Sequence, residues 1–450
     1  MDPELVLASS PSDAGIVCWD VHSGAELHRF RTCASPSHGL NFVGGRFIAS
    51  SQVRDSSSSS GSVFYWSSNK PQVEVKSFPS EPIKPIISHR EGTYIVGGGV
   101  SGYIYFWEVA TGILLKKWQG HYRAVSRLVF SDDQSLLISG AEDGSIRVWS
   151  LLAMFDDTQK EQGKNLYEYS FYDHSLAITD IVVGHGGCNS IIVSASEDKT
   201  CKVWSLFNGK LLRDIIFPSV INAVVMDPWE HVFYAGSKDG MIYIAALNAP
   251  DTNSSHGKNI IDSTFFHSEA VTCLKLASNG NLLVSGSMDG MVRIWDTRTR
   301  MIVRTLKLCK GSPVNNILVV RQSQFLRPHG LSYSQSSSIV KHKSSLPPPL
   351  EKYSNSSNEV GEVITYLTGN EPQPRRFPYI SGRILTKYMK ELQQQGSAAA
   401  SEMEVEGLKL DYEKSKQLVQ KQKKMYEDLY EFCATEVLNR DQAGNCNGST

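Results

Sequence analysis

The sequence predicts an all-β chain, a seven-bladed β-propeller with an α-helical C-terminal extension. Three observations carry that expectation: a strand signature recurs seven times, its first copy lacks a leading strand, and a strand without a blade follows the last copy.

The recurring unit is an acidic turn followed by an alternating strand that ends in tryptophan. GSIRVWSL after AED, DKTCKVWSL and DGMVRIWDT are its clearest copies, and GIVCWDVHSG, GSVFYWSSN and SGYIYFWEVATG precede them. In DGMIYIAAL, Ala245 stands where the tryptophan belongs. The anchors fall at 19, 66, 107, 149, 204, 245 and 295, with successive spacings of 47, 41, 42, 55, 41 and 50. A four-stranded blade has a period of roughly 40–45 residues, so the longer spacings mark loop insertions. Segments such as AVSRLVF, SLLISGA and SIRVWSL alternate in polarity between Gly, Asp and Asn turns, as short antiparallel strands do. One blade cannot bury both of its faces alone, which requires a ring.

The first blade begins at ELVLASS with no strand before it, and SPVNNILVV (312 to 320) alternates like AVSRLVF but starts no further blade. Residues 312–320 are therefore expected to complete blade one and remove an exposed sheet edge, giving a propeller over 1–321.

Three blades carry a polar set: His121, Ser139, Asp143 and Trp149 in the fourth, His174, Ser194, Asp198 and Trp204 in the fifth, His267, Ser285, Asp289 and Trp295 in the seventh. Their spacing is that of the hydrogen-bond tetrad of WD repeats, which satisfies buried polar groups between blade strands. The sixth blade breaks the set with Ala235 and Ala245. Serine, histidine and aspartate also compose hydrolytic triads. A triad occurs once, in a cleft, whereas this set recurs at one blade register and ends on tryptophan, so no catalytic residue is assigned.

Other motifs weigh little. Gly97, Gly99 and Gly102 match the dinucleotide fingerprint GxGxxG, but the alternating YIYFW follows where a helix should open, so no cofactor is expected. WDTR (295–298) matches the WDxR signature of receptors that dock on a cullin ubiquitin ligase adaptor, and supplies the alternative function. RDSSSSSGS reads as a solvated insertion whose serines could accept phosphate.

Composition narrows the class further. Lys plus Arg number 45 and Asp plus Glu 46, a balance that creates no general attraction to nucleic acid or anionic membrane. MDPELVLASS lacks the basic flank and apolar core of a secretory signal, and no apolar run approaches the roughly 20 residues of a membrane span. A soluble, intracellular protein is expected, in which the sequons at Asn253, Asn355 and Asn447 carry no weight. Eight cysteines without a CxxC pair argue against zinc and against a disulfide framework, and several sit inside apolar alternation as small buried side chains.

Beyond the ring, 322–378 is rich in Ser, Pro and Asn and is expected to be a flexible linker or a segment that orders on a partner. Over 379–395 an amphipathic helix places Ile380, Ile384, Leu385, Tyr388, Met389 and Leu392 on one face. Over 404–438 a charged, coiled-coil-like helix places Leu418, Met425, Leu429 and Phe432 near heptad a and d positions, interrupted by Ser415 and Gln422. Homodimerisation, docking on a partner helix and packing against the ring all fit that imperfect seam. The basic run KQKK (421–424) reads as a solvated helix face.

The runs CWDVHSGAEL, HYRAVSRLVF through GSIRVWSLL, HSLAITDIVVGHGG, FPSVINAVVMD, HSEAVTCLKL and GSPVNNILVV carry a more specific likeness. They resemble the WD-repeat subunit of the Rix-type ribosome-maturation complex, whose animal counterpart contains PELP. The resemblance implies a nuclear scaffold, nucleolar and nucleoplasmic, without catalysis of its own, that helps process the internal spacer of the large-subunit rRNA precursor. It implies as partners a Rix/PELP-type helical-repeat subunit, an armadillo-like subunit, a midasin-type AAA ATPase and pre-60S particles. It further implies a homodimer through the C-terminal helix, and leaves direct RNA contact open.

Overall fold

The computed structural model describes residues 3–325 and 346–353, apart from 13, 53–60, 69, 156–166, 248–259, 278–279 and 309–311; the side chains of 260–265 are not described. The helices expected over 379–395 and 404–438, with Ile384, Tyr388, Leu418, Met425, Leu429 and Phe432, lie outside these residues.

Seven four-stranded antiparallel sheets form the ring. Their innermost strands are Asn316–Arg321, Leu40–Val43, Ile83–Ser88, Val125–Phe130, Ile178–Val183, Ile221–Met226 and Val271–Ala277, and each packs beside the next around a central channel. Because every sheet repeats one up-and-down order, all innermost strands run the same way. The loops that enter them and the middle turns of the blades therefore share one face, called here the entry face.

Blade one is completed across the chain ends. Asn316–Arg321 pairs antiparallel with Glu4–Ser9 over six residues, from Glu4 opposite Arg321 to Ser9 opposite Asn316. Asn316 Nδ2 adds hydrogen bonds to Ser9 Oγ at 3.1 Å and to the Pro36 carbonyl at 2.8 Å, joining the closure to blade two. No blade is left with a bare inner edge.

The core is distributed between blades. One buried cluster joins blades seven and one through Cys273, Val284, Val292 and Ile294 against Val6, Ala8 and Trp19. Another joins blades one and two through Leu5, Cys18 and Phe30 against Ile48 and Trp66. Five more fill the remaining junctions. This follows from alternation: each middle strand sends successive side chains to opposite faces of its sheet, and each face is covered by a neighbouring blade. Cys18, Cys33, Cys188, Cys201 and Cys273 are buried and form no disulfide, and burial pushes the Cys18 and Cys273 thiols up to about 12.

The segment expected as a linker holds two ordered pieces. Gln322–Phe325 forms a short helix that buries Phe325 against Phe30 and Phe42. Residues 346–353 lie on blade three: Leu350 is buried among its side chains, the Glu351 amide donates to the Gly112 carbonyl at 2.8 Å, and Trp107 Nε1 donates to the Glu351 carbonyl at 2.9 Å. Composition marks Ser- and Pro-rich stretches as solvated, yet PPPL offers a stiff apolar edge that loses little entropy on docking. No helix among the described residues is long and apolar enough to cross a membrane.

Candidate functional site

Strand register explains where the polar sets sit. In blades four, five and seven the tryptophan pairs with a residue on the second strand, and the residue two further on faces the indole edge. Trp149 lies opposite Leu137, Trp204 opposite Ile192 and Trp295 opposite Leu283, which brings Ser139, Ser194 and Ser285 under the three indoles. The indole N–H groups donate to those hydroxyls at 2.8, 2.9 and 2.7 Å. The histidine Nε2 atoms of His121, His174 and His267 lie 2.7, 2.8 and 2.6 Å from the same oxygens.

The step from histidine to aspartate differs between blades. In blade five His174 Nδ1 is 2.9 Å from Asp198 Oδ2, a direct hydrogen bond. In blade four the distance to Asp143 is 3.6 Å, and Ser145 Oγ relays the contact, 2.8 Å from His121 Nδ1 and 2.6 Å from Asp143 Oδ1. In blade seven the gap is 3.7 Å, and the Arg293 guanidinium reaches both His267 and Asp289. The residue two places after the aspartate decides part of this: a serine hydroxyl can enter the gap, whereas Met291 cannot.

At the same register the other blades find different solutions. In blade six Phe217 takes the place of the histidine beside Ala235 and Ala245, and in blade one Leu308 packs with Ala8 and Trp19. Both blades are apolar where the serine and the histidine would stand, so neither member of that pair is left without the other. Blade three has Gly97 under Trp107, where a Cβ would come within 3.0 Å of the ring, and the indole finds Glu351 instead. Gly97 and Gly99 end a strand and Gly102 makes the next turn with φ 87°, followed by another strand, so these glycines cradle no phosphate at a helix end.

WDTR closes a turn. Asp296 Oδ1 accepts from the Arg298 and Thr299 amides at 2.8 and 3.0 Å, and Thr297 Oγ1 donates to the carbonyls of Gly280 and Asn281.

The aspartates of the sets also tie down the entry loops. Asp143 Oδ2 accepts from the Tyr122 amide at 3.0 Å, Asp198 Oδ2 from the Ser175 amide at 3.1 Å, and Asp289 Oδ2 from Ser268 Oγ at 2.8 Å. Around these anchors the entry face exposes Phe78, Val100, Tyr122, Tyr172, Leu176, Phe266 and Met288, with Tyr122 80% exposed. Large apolar side chains gathered at the loops of one face form a surface suited to protein contact.

Inside the channel sits a feature that sequence reasoning missed. Asp180 is buried; its Oδ1 accepts from the Ile181 amide at 2.8 Å and its Oδ2 from the Val224 amide at 2.9 Å. Arg127 Nε lies 2.8 Å from Asp180 Oδ1 as an ion pair without the alignment of a hydrogen bond. His38 reaches across from the loop before blade two, its Nε2 3.2 Å from the Thr179 carbonyl and 3.8 Å from Asp180. The available signal was a single charge in an otherwise apolar inner strand, as in VSRLVF, ITDIVV and VTCLKL.

Ser139→Ala is expected to leave both the His121 Nε2 and the Trp149 indole N–H without a partner, costing about 1–3 kcal/mol for each buried group left unpaired. Chemical denaturation should show the loss, whereas Ala235→Ser in blade six should give no matching gain.

Acid lability follows from the histidines. Burial, reinforced by Arg293, pushes His267 down to about 4, and burial with Arg127 does the same to His38. The unfolded chain then binds more protons than the folded one between about pH 4 and the ordinary histidine value of about 6.5. Stability is therefore full above that window and falls through it on acidification, by on the order of 3 kcal/mol for each histidine. Burial alone would raise Asp143, but its donors His121 and Ser145 outweigh that and hold it low, so a further loss is expected below the ordinary carboxylate range. Melting temperatures measured from pH 8 to 4 test this, and a flat profile would refute it.

Comparison with known proteins agrees with this architecture. The WD domain, G-beta repeat family matches residues 112–150, 165–205 and 260–296, which cover blades four, five and seven. A computationally designed protein, Ika8, has a crystal structure similar to the chain with a TM-score of 0.50 and 26% identity, over 68% of this chain and 85% of that one. Protein ROOT INITIATION DEFECTIVE 3 of Arabidopsis thaliana is 50% identical over 98% of this chain and 99% of its own length. WD repeat-containing protein 18 of Bos taurus is 33% identical over 68% of this chain and 69% of its own. Pre-rRNA-processing protein IPI3 of Yarrowia lipolytica is 27% identical over 73% of this chain and 77% of its own. Seven closed blades, and a match to the first of these relatives along nearly its whole length, place the chain in the WD-repeat family that contains ROOT INITIATION DEFECTIVE 3 and WD repeat-containing protein 18.

Proposed function

We propose that the chain is a non-catalytic scaffold of ribosome biogenesis, assembling a Rix-type complex for pre-60S maturation and internal-spacer processing in the nucleus. The observation that carries this reading is the extent of the alignments: relatives named for pre-rRNA processing match over most of the chain. The geometry adds a means. The polar sets are absorbed in holding strands and loops together, and the entry face presents aromatic and aliphatic side chains to solvent. A helical-repeat subunit of the Rix/PELP type is the proposed occupant of that face, with an armadillo-like subunit, a midasin-type AAA ATPase and the pre-60S particle recruited in the same assembly. The relatives lend the cullin-receptor reading no support, and Asp296 of WDTR is accounted for by its turn.

The test is affinity capture from dividing cells with the wild type and with a Tyr122→Ser, Leu176→Ser, Met288→Ser triple variant. The wild type is expected to recover pre-60S proteins, and the variant to lose most of that capture while keeping its melting temperature within a few degrees. Recovery of a ligase adaptor and cullin without pre-60S proteins would overturn the proposal.

The homodimer is proposed on the seam of Leu418, Met425, Leu429 and Phe432, with Ile384 and Tyr388 as a further contact surface. Each fully buried large side chain contributes about 1.5–3 kcal/mol, so replacing Leu418, Met425 and Leu429 by serine should halve the mass seen by light scattering and leave the β-rich circular dichroism intact. A wild type that is monomeric at micromolar concentration would sink the dimer.

A further inference from the structure

The channel encloses a cavity of about 550 Å³ whose walls include His38, Arg127, Asp180, Lys275, Asn41 and Asn315. Its charge is unbalanced. Arg127 and Lys275 bring two cations from the inner strands of blades four and seven, and Asp180 brings one carboxylate from blade five. That carboxylate is already engaged by two backbone amides and by Arg127. Among the described residues, Lys275 makes no hydrogen bond and has no carboxylate within ion-pair distance, although it lies in the field of Arg127 and Asp180. His38 supplies no charge at neutral pH, since burial and Arg127 push it down to about 4.

A half-buried cation without a partner lacks the counter-charge that stabilises such groups. Among the described residues no carboxylate pairs with Lys275, and Asp180 acts on it only at longer range. The amides of Asn41 and Asn315 line the same space and add neutral donors of the kind that oxyanions accept.

The two mouths differ. At the entry face His38 spans from blade two to the Thr179 carbonyl of blade five and narrows the opening. At the opposite face, beyond the ends of the inner strands, Gly44, Gly45, Gln324 and Arg90 border the cavity, and the Arg90 side chain is 70% exposed. An anion approaching that mouth meets first the exposed Arg90 guanidinium, which lies 4.0 Å from Asp132, and then the half-buried Lys275 ammonium.

We propose that the channel binds a small oxyanion of the phosphate class, with Lys275 as its principal contact, Arg127 as a second cation fixed by Asp180, and Arg90 guarding the way in. The volume admits orthophosphate with water or a compact ring bearing several phosphates, and both present the same chemistry to Lys275.

The experiment uses the full chain in thermal unfolding, titrated with inorganic phosphate or with inositol hexakisphosphate against chloride at matched ionic strength. A saturable rise in Tm is expected for the wild type. A response to both probes identifies free phosphate as sufficient, and a response to the second alone identifies a polyphosphorylated ring. Lys275→Met should weaken the apparent affinity at least tenfold and leave the Tm in chloride unchanged or higher, because the new side chain fills the stem's volume without an unpaired charge. Lys275→Arg should retain the response. A wild type that responds no more than to chloride, or a Lys275→Met variant that responds as the wild type does, would overturn the site. Should Lys275→Met fail to fold, equilibrium dialysis of both probes against the wild type decides, and absence of saturable uptake by either rejects the proposal.

Discussion

Everything in this ring rests on the antiparallel pairing of Asn316–Arg321 with Glu4–Ser9. Each junction between blades is a separate apolar cluster, so no blade owns a core of its own. Were the closing strand to leave, Val314 and Ile317 would leave the cluster between blades seven and one, and Val320 the one between blades one and two. The inner edge of Glu4–Ser9 would then present unpaired backbone groups to other chains, the hazard that closure removes. The contact is also the most non-local one available, joining residues more than 300 positions apart, so its loop entropy must be met before it can form.

The polar sets are one of several ways to fill a recurring position: in blade two, for instance, Ser50 stands there and the Trp66 indole donates instead to the Arg31 carbonyl at 3.1 Å. Blades four, five and seven place serine, histidine and tryptophan there, and blades one and six place alanine with leucine or phenylalanine. A paired set and an apolar pair are each tolerated because buried hydrogen bonds are modest in net value while a stranded donor is expensive. Blade three keeps the tryptophan but has neither the serine nor the histidine. Gly97 supplies no hydroxyl, and the Trp107 indole takes the carbonyl of Glu351, 244 positions along the chain. That borrowed acceptor gives 346–353 a reason to dock which its composition does not reveal.

The ring was legible from sequence because its signals are local. The seven anchors end a strand each, Asp143, Asp198 and Asp289 sit at fixed distances before three of them, and the missing first strand left a counterpart over 312–320; the pairing itself covers Asn316–Arg321. What sequence did not reveal depends on contacts between distant segments. Arg127, Asp180 and Lys275 each occur once in a different blade, at positions that meet only when the inner strands converge on the channel. The differing links between histidine and aspartate were equally hidden, since whether Ser145 relays or Arg293 intervenes depends on side-chain placement that spacing does not encode.

The structural chemistry of the sets and the proposed docking role are not separate. Each aspartate accepts one bond from within its turn and another from the residue just after the histidine, so Tyr122, Ser175 and Ser268 are pinned to the blade beneath them. Those loops carry Tyr122, Tyr172, Leu176 and Phe266 of the entry face. A partner that meets loops already fixed loses less conformational entropy on binding than one that must order them, which raises affinity without any added contact. Where the polar set is replaced by Phe217 and Ala235, the entry loop lacks that aspartate tether and is held by the Phe217 amide on the Lys199 carbonyl. The recurrence of the tetrad in three blades thus does more than satisfy buried groups: it sets which sectors of the entry face are rigid enough to serve as an anchor.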